Sequence, residues 1–258
     1  MRIATFNVNG LRARLDFLLG WLRARQPDVV GLQELKLTED AFPALELSAE
    51  GYHCLVHGQK SWNGVAILSK QPATLVSRGL PGREDDGARL ITADVQGLRF
   101  ASVYVPNGKS TEHEDYPKKL AWLDSLAAHL RETFEPSRPG VLAGDFNIVP
   151  AAIDSWDEAG HAGHVFHTPA ERARFAELLG AGFVDLYRAV HPERQEFSWW
   201  DYRGGAFHKK QGLRIDLALG TAALAGGVRS AVIDREYRKK QQGLTPSDHC
   251  PVLVEIES

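Results

Sequence analysis

Ten strand-like runs lie along this chain with amphipathic helical stretches between them, and that alternation constrains the fold more than any other feature. The runs are RIATFNV, DVVGLQE, GVAILSK, LITADV, LRFASVYV, GVLAGDFN, FSWWDY, LRIDLAL, VRSAVIDREY and PVLVEIE. Several alternate apolar with small or polar residues, while VVGL and VLAG are apolar throughout and suit strands covered on both faces. Leu11 to Arg25 carries Leu15, Leu18, Leu19 and Leu22 at helical spacing and stops before Pro27. Pro117 to Phe134 sets Leu120, Leu123, Leu126, Ala127 and Leu130 on one face. Thr168, Pro169 and Glu171 read as an N-cap, a proline at the first helical position and an acidic first turn, opening a helix to about Leu179. No linker, low-complexity segment or fixed-period repeat divides the chain. The expected fold is α/β: a four-layer sandwich of two mixed sheets packed face to face with helices outside, one domain over residues 1–258.

No segment approaches the roughly 18 consecutive apolar residues of a membrane span. The stretch MRIATFNVNG enters a strand pattern at once, without the apolar core of a signal peptide. Cys54 and Cys250 could form at most one bridge. These features lead us to expect a cytoplasmic, monomer-sized enzyme or binding protein. The formal net charge of −3 argues against a nucleic-acid partner until its distribution is considered. Basic residues gather at Lys118-Lys119, at His208-Lys209-Lys210 with Arg203 and Arg214, and at Arg235, Arg238, Lys239 and Lys240. A solvated face explains any one of these runs. Three of them beside polar strand ends favour a phosphate-bearing partner.

Those strand ends carry the chemistry. Asp145 and Asn147 stand two apart where VLAGDFNIVP leaves its apolar run, so an extended strand would point both to one face. Asn7 and Asn9 close the first strand, Gln33-Glu34 closes VVGLQE, and Tyr104 precedes Pro106 and Asn107. Asp216 interrupts LRIDLAL, and Ser247-Asp248-His249 precedes the last strand. Each alone has a plain structural account: Asn7 capping a turn, Glu34 paired with Lys36 or an arginine, Asp216 paired with Arg214, Asp248 capping a loop. Together, carboxylates converging on one edge of a sandwich would repel one another, and a hard divalent cation with oxygen ligands resolves the conflict. A histidine beside one aspartate and oriented by another adds acid–base or electrophilic chemistry. HAGHVFH has no cysteine partner and lies in a loop, which sets a zinc reading aside.

FNVNGLRAR, LQELK, WNGVAILSK, YVPNG, GDFNIVP, FSWWDYR, GLRIDLAL and PSDHCPV resemble, in order and over nearly the whole chain, the exonuclease III family of DNA-repair nucleases. These belong to the wider endonuclease/exonuclease/phosphatase superfamily. The resemblance implies hydrolysis of DNA phosphodiesters with Mg²⁺, or Mn²⁺ as a substitute, at abasic sites and at damaged or recessed 3′ ends of double-stranded DNA. It implies metal ligation around Asn7, Glu34, Asp145, Asn147, Asp248 and His249, with Glu34 the principal ligand. It implies catalytic roles for Tyr104, Asp145, Asn147, Asp216 and His249. Asp145 would orient and deprotonate water, and His249, oriented by Asp216, would meet the scissile phosphate. DNA contacts fall to Asn107, Lys109, Trp199, Arg203, Leu213 and Ile215, of which Trp199, Leu213 and Ile215 resemble a small pocket for a base-free sugar. Asn9 departs from the aspartate that some members carry.

The resemblance is silent on lesion preference. Phe166 and His167 lie between GDFNIVP and the next helix, beside the expected sugar pocket. Either they support the helix start, or one of them narrows the pocket and biases the enzyme towards 3′-end processing. A superfamily phosphatase with a lipid, inositol or RNA substrate is the enzymatic rival, against which FSWWDYR and GLRID argue. A catalytically silent DNA-end binder would need a missing acidic or histidine position, and none is missing.

Overall fold

The computed structural model describes residues 1–257. Twelve strands run β1 Arg2–Asn7, β2 Val29–Gln33, β3 His53–His57, β4 Val65–Ser69, β5 Thr74–Arg78, β6 Leu90–Val95, β7 Leu98–Tyr104, β8 Gly140–Asp145, β9 Phe183–Asp185, β10 Asp216–Thr221, β11 Val228–Ile233 and β12 Val252–Ile256. The helices are α1 Leu11–Arg25, α2 Ala44–Ala49, α3 Asp115–Thr133, α4 Glu158–His161, α5 Pro169–Gly180 and α6 Leu186–Val190. The strands form two six-stranded sheets, in the orders β11-β12-β1-β2-β4-β3 and β5-β6-β7-β8-β10-β9. Each sheet holds one parallel pair, β1–β2 and β7–β8, and its other pairs are antiparallel. A parallel pair needs a crossover, and α1 and α3 supply the two.

The inner faces meet through residues such as Ile3, Val29, Ile67, Phe100, Ala143 and Val254, all buried. Trp21 and Leu22 of α1 cover the outer face of the first sheet at Val30 and Leu68. Trp122, Leu126 and Leu130 of α3 cover the second at Ala101, Leu142 and Leu217. The continuous burial of β2 and β8 explains their unbroken apolar runs. This is the expected four-layer sandwich.

Two details bring the strand ends of opposite sheets together. A side chain at Gly31 would strike Ser102 and Phe100 of the other sheet. Its absence lets a polar staple form: Thr5 Oγ1 donates to Gln33 Oε1 (3.1 Å), and Gln33 Nε2 donates to Ser102 Oγ (3.0 Å). Ser102 Oγ then donates to the Leu32 carbonyl (3.1 Å), so every member of the staple is satisfied.

α1 has the expected bounds, α3 begins two residues earlier than the apolar spacing suggested, and α5 opens with a full Thr168–Glu171 capping box. FSWWDY is a correction, because it is not a strand. Trp199 forms only isolated bridges, to Leu213 and to His249. The segment runs across strand starts, where Ser198 Oγ accepts the N–H of Ile215 and of Asp216 (3.2 and 3.0 Å). Phe197 and Trp200 pack inward, which gives the segment its strand-like look, but Tyr202 is exposed and a crossing segment has no continuous neighbour to pair with.

Candidate active site

The carboxyl ends of both parallel pairs open at the same edge. β1 ends at Asn7, β2 at Gln33 just before Glu34, β7 at Tyr104 and β8 at Asp145, while β10 begins at Asp216 directly opposite Asp145. Asn7 Nδ2 bridges the sheets, donating to Glu34 Oε1 (2.8 Å) and to Asp145 Oδ2 (2.9 Å). His249 Nδ1 lies 2.8 Å from Asp216 Oδ2, and His249 Nε2 lies 3.7 Å from Asp145 Oδ2. Glu34, Asp145 and His249 each offer a ligand atom within 4.8 Å of the others, the one such group of three among the described residues. Two carboxylates with amide groups beside them suit a hard, oxygen-binding divalent ion, and a single histidine is too few nitrogen ligands for a usual zinc site.

Burial is the first influence on the ionisable groups here. It raises the pKa of Asp145, and Asp216 and Glu34 raise it further against the pull of His249. Burial alone would lower that of His249, but the Asp216 and Asp145 carboxylates outweigh it and hold the ring protonated. Tyr104 stays a phenol, because burial first and then Glu34 and Asp145 oppose its ionisation.

Asp145 and Asn147 do face one site, but not through strand alternation. β8 ends at Asp145, and Asn147 has a left-handed φ of 48°. A turn joins them, with Asn147 N donating to Asp145 Oδ1 (3.0 Å) and Asn147 Nδ2 to the Val105 carbonyl (2.9 Å). Asn107 Nδ2 reaches Asn147 Oδ1 at 3.4 Å. Positive φ at a non-glycine residue is uncommon and clusters at functional sites. Here Asn9, Glu34, Lys36, Lys109, Asn147 and Phe166 all show it.

Asp248 stands one step away from the three-group cluster. Its carboxylate accepts Asn9 Nδ2 (2.8 Å) and Trp199 Nε1 (3.0 Å). Although burial works the other way, His249 and these two donors keep its pKa low. Asn9 thus donates to Asp248 and accepts from Lys36 Nζ on its own Oδ1 (2.6 Å), while Lys36 also pairs with Glu34 (3.0 Å). The Glu34–Lys36 pairing exists, and it coexists with the cluster.

Leu213, Ile215 and Val149 form a small apolar cluster of their own, with Trp199 and Phe166 packed on its margin. His167 is buried with Nε2 3.0 Å from Ser155 Oγ and its ring stacked on His161. Asn107, Lys109 and Arg203 are exposed; Lys109 pairs with Asp115 and Arg203 with Asp201.

Three residues of the basic runs are corrected. Lys119 is buried against Glu171, and Arg214 is buried between Asp154 and Asp185. Arg238 is buried too, donating to the carbonyls of Asp248 and Trp200. A buried cation and a solvated one look alike in a basic run, and only the distant acids tell them apart. Arg214 also leaves Asp216 free for His249. Ser247, which the Ser247-Asp248-His249 run marks without a role, ties the site together: its Oγ donates to the Asn7 carbonyl (2.8 Å) and accepts from His249 N (3.2 Å).

A sequence profile of the endonuclease/exonuclease/phosphatase family matches residues 4–249. Exodeoxyribonuclease III of Haemophilus influenzae is 36% identical, with all of both chains aligned. Among solved structures, an AP endonuclease from Archaeoglobus fulgidus superposes with a TM-score of 0.96 at 35% identity, covering both chains completely. A 3′ phosphatase from Neisseria, bound to a product DNA hairpin, does so with a TM-score of 0.95 at 39% identity, again over the whole of both chains.

Proposed function

The chain belongs to the endonuclease/exonuclease/phosphatase family, and from that membership we propose that it is a metal-dependent DNA-repair nuclease, hydrolysing phosphodiesters at abasic sites and at 3′ ends. One observation carries this reading: Glu34, Asp145 and the Asp216–His249 pair converge from two sheets on one edge, beside a small apolar cluster of Val149, Leu213 and Ile215. Glu34 and Asp145 would hold Mg²⁺, or Mn²⁺ in its place, with Asn7 between the two carboxylates and the Asp248–Asn9 contact beside them, while the protonated His249 stands next to the ion without ligating it. The ion would neutralise charge on the phosphate. Asp145, with Asn147 beside it, positions and accepts a proton from the attacking water. His249, kept protonated by Asp216, and the Tyr104 phenol donate to phosphate oxygens as charge develops there.

DNA lies over Asn107, Lys109 and Arg203, and the exposed Lys209, Lys210 and Lys240 add positive charge along the surface. Trp199, Leu213 and Ile215 receive a base-free sugar. The enzyme works as a monomer of one domain on cytoplasmic, nucleoid DNA. No helix among the described residues is long and apolar enough to cross a membrane.

The test uses two duplexes, one with a single internal abasic-site analogue and one with a recessed or phosphorylated 3′ end, each with and without Mg²⁺. Magnesium-dependent cleavage of either is expected. No cleavage of either, with hydrolysis of an inositol phosphate instead, would overturn the DNA reading.

A second reading rests on Phe166, which packs on the margin of the Leu213–Ile215 cluster. There its ring narrows the space into which an internal abasic nucleotide must turn, whereas a terminal 3′ phosphate needs no such turn. The enzyme would then favour 3′ ends. Phe166→Gly is expected to raise internal incision relative to 3′ trimming by about 10-fold, the scale of a positioned contact in a small pocket. Glycine also suits the φ of 77° at this residue, so the backbone should keep its path. His167→Gly should change the ratio less, since His167 is held on Ser155. A parent that already cuts internal sites as fast as it trims 3′ ends would sink this reading.

A further inference from the structure

The three donors of one buried ammonium group are all used close to the proposed active site. Lys119 is fully buried on α3, the crossover that joins β7 to β8. Its Nζ donates to the carbonyls of Asn147 (2.6 Å) and Asn107 (3.2 Å), and to Glu171 Oε1 at the start of α5. Glu171 Oε1 in turn accepts the backbone N–H of Phe166 (3.1 Å), and its Oε2 accepts Thr168 N (3.1 Å). The Lys119 Nζ also lies 4.8 Å from the centre of the Phe166 ring. One ion pair therefore holds the loop after β7, the loop after β8 and the residue beside the sugar cluster.

Stability alone does not call for this arrangement. A buried ion pair is often no more stable than apolar side chains of similar volume, whereas removing one partner leaves an uncompensated charge. What the pair holds is more telling. Asn147 and Phe166 both carry positive φ, a conformation that persists only where surrounding contacts over-determine it. Lys119 holds the carbonyl of the first, and Glu171 holds the N–H of the second.

Building on the nuclease reading, we propose that Lys119 is a positioning residue that couples the wall of the sugar pocket to the two amides, Asn107 and Asn147, that face the phosphate. Lys119 itself touches no DNA. A shift of Phe166 as a nucleotide enters is passed through Glu171 and Lys119 to both loops, so filling of the pocket and placement of the amides are linked.

The experiment compares the parent with Lys119→Met/Glu171→Gln, a change that removes both charges and leaves neither one unpaired. Rates on the abasic and 3′-end duplexes are taken per folded molecule, measured by circular dichroism. The expected result is a fall in kcat of about 10-fold or more on the abasic duplex, because small misplacements near reacting groups are costly. KM should stay within about 2-fold and its salt dependence should not change, since a buried lysine displaces no counterions. Lys119→Arg, which keeps the charge but carries a planar fork in place of a compact ammonium, should fold and show the same selective fall. An unchanged kcat in the folded variants would overturn the positioning role, as would a weaker salt dependence, which would make Lys119 a phosphate contact. An active parent keeps those outcomes separate from failure of the nuclease reading. A parent inactive on both duplexes would overturn that reading and this proposal together.

Discussion

Asp216→Asn and His249→Asn are each expected to slow DNA hydrolysis by about 10²-fold or more, the usual scale for one positioned acid or charge-stabilising group. Both side chains are buried, and His249 Nδ1 lies 2.8 Å from Asp216 Oδ2, so the aspartate fixes the ring and its proton. If they act as a unit, the double variant should lose little beyond the worse single variant. Fully multiplicative losses would show that they act independently. The pH profile gives a second check. Burial opposes charge on His249, and Asp216 is the largest of the influences that restore it. Without that carboxylate the folded-state pKa falls, so activity that needs the imidazolium should be lost at a lower pH than in the parent. An alkaline limb that stays in place in Asp216→Asn would show that it does not report the His249 imidazolium, and would remove that ion from the reaction.

Removal of divalent metal should have the other large effect, bringing hydrolysis to background in excess chelator. Lys36 already pairs with Glu34 and His249 stands beside Asp145, so the one donor the two carboxylates share, the neutral Asn7 Nδ2, leaves no positive charge for an incoming phosphate. Glu34→Gln should keep the fold, because Glu34 is partly exposed and tied mainly to Asn7 and Lys36. Its rate should fall by about 10²-fold, as for loss of one charge-stabilising group, and recover partly as the metal concentration is raised. Metal binding without DNA should be weak by calorimetry, since water and the phosphate complete the shell of a magnesium site. Full activity in excess chelator would remove the metal from the reaction.

The two sheets and their main helices were legible because their patterns are local. Leu15, Leu18 and Leu22 mark α1 by spacing, and the unbroken apolar runs of β2 and β8 reflect burial on both faces. β5 lies at a sheet edge and is largely exposed, and β9 has only three residues, so neither left a pattern to read. In the site, Glu34, Asp145, Asp216 and His249 were legible as polar residues where apolar strands start or stop. Asp145 and Asn147 share the site through a turn and not through the strand alternation that their spacing suggests. Lys119 and Arg214 were read as surface charge because their acids, Glu171 and Asp154, lie 52 and 60 residues away. Sequence shows charge at once, but burial depends on partners that only the fold brings near.

The place of β12 has a consequence in time. This strand lies inside the first sheet, between β11 and β1, and the Met1 amine donates to the carbonyl of Ile256, 255 residues along the chain. His249 stands just ahead of that strand. A ribosome making this chain from its N-terminus therefore releases β1, Glu34 and Asp145 long before the histidine that completes them. Closing so long a loop adds little to the free-energy cost, because the entropy grows only with the logarithm of length. It does delay assembly, since contacts so distant in sequence form late. A growing chain thus carries the carboxylates without their histidine, and the power to cut DNA arrives only once His249 has been made and β12 has paired between β11 and β1.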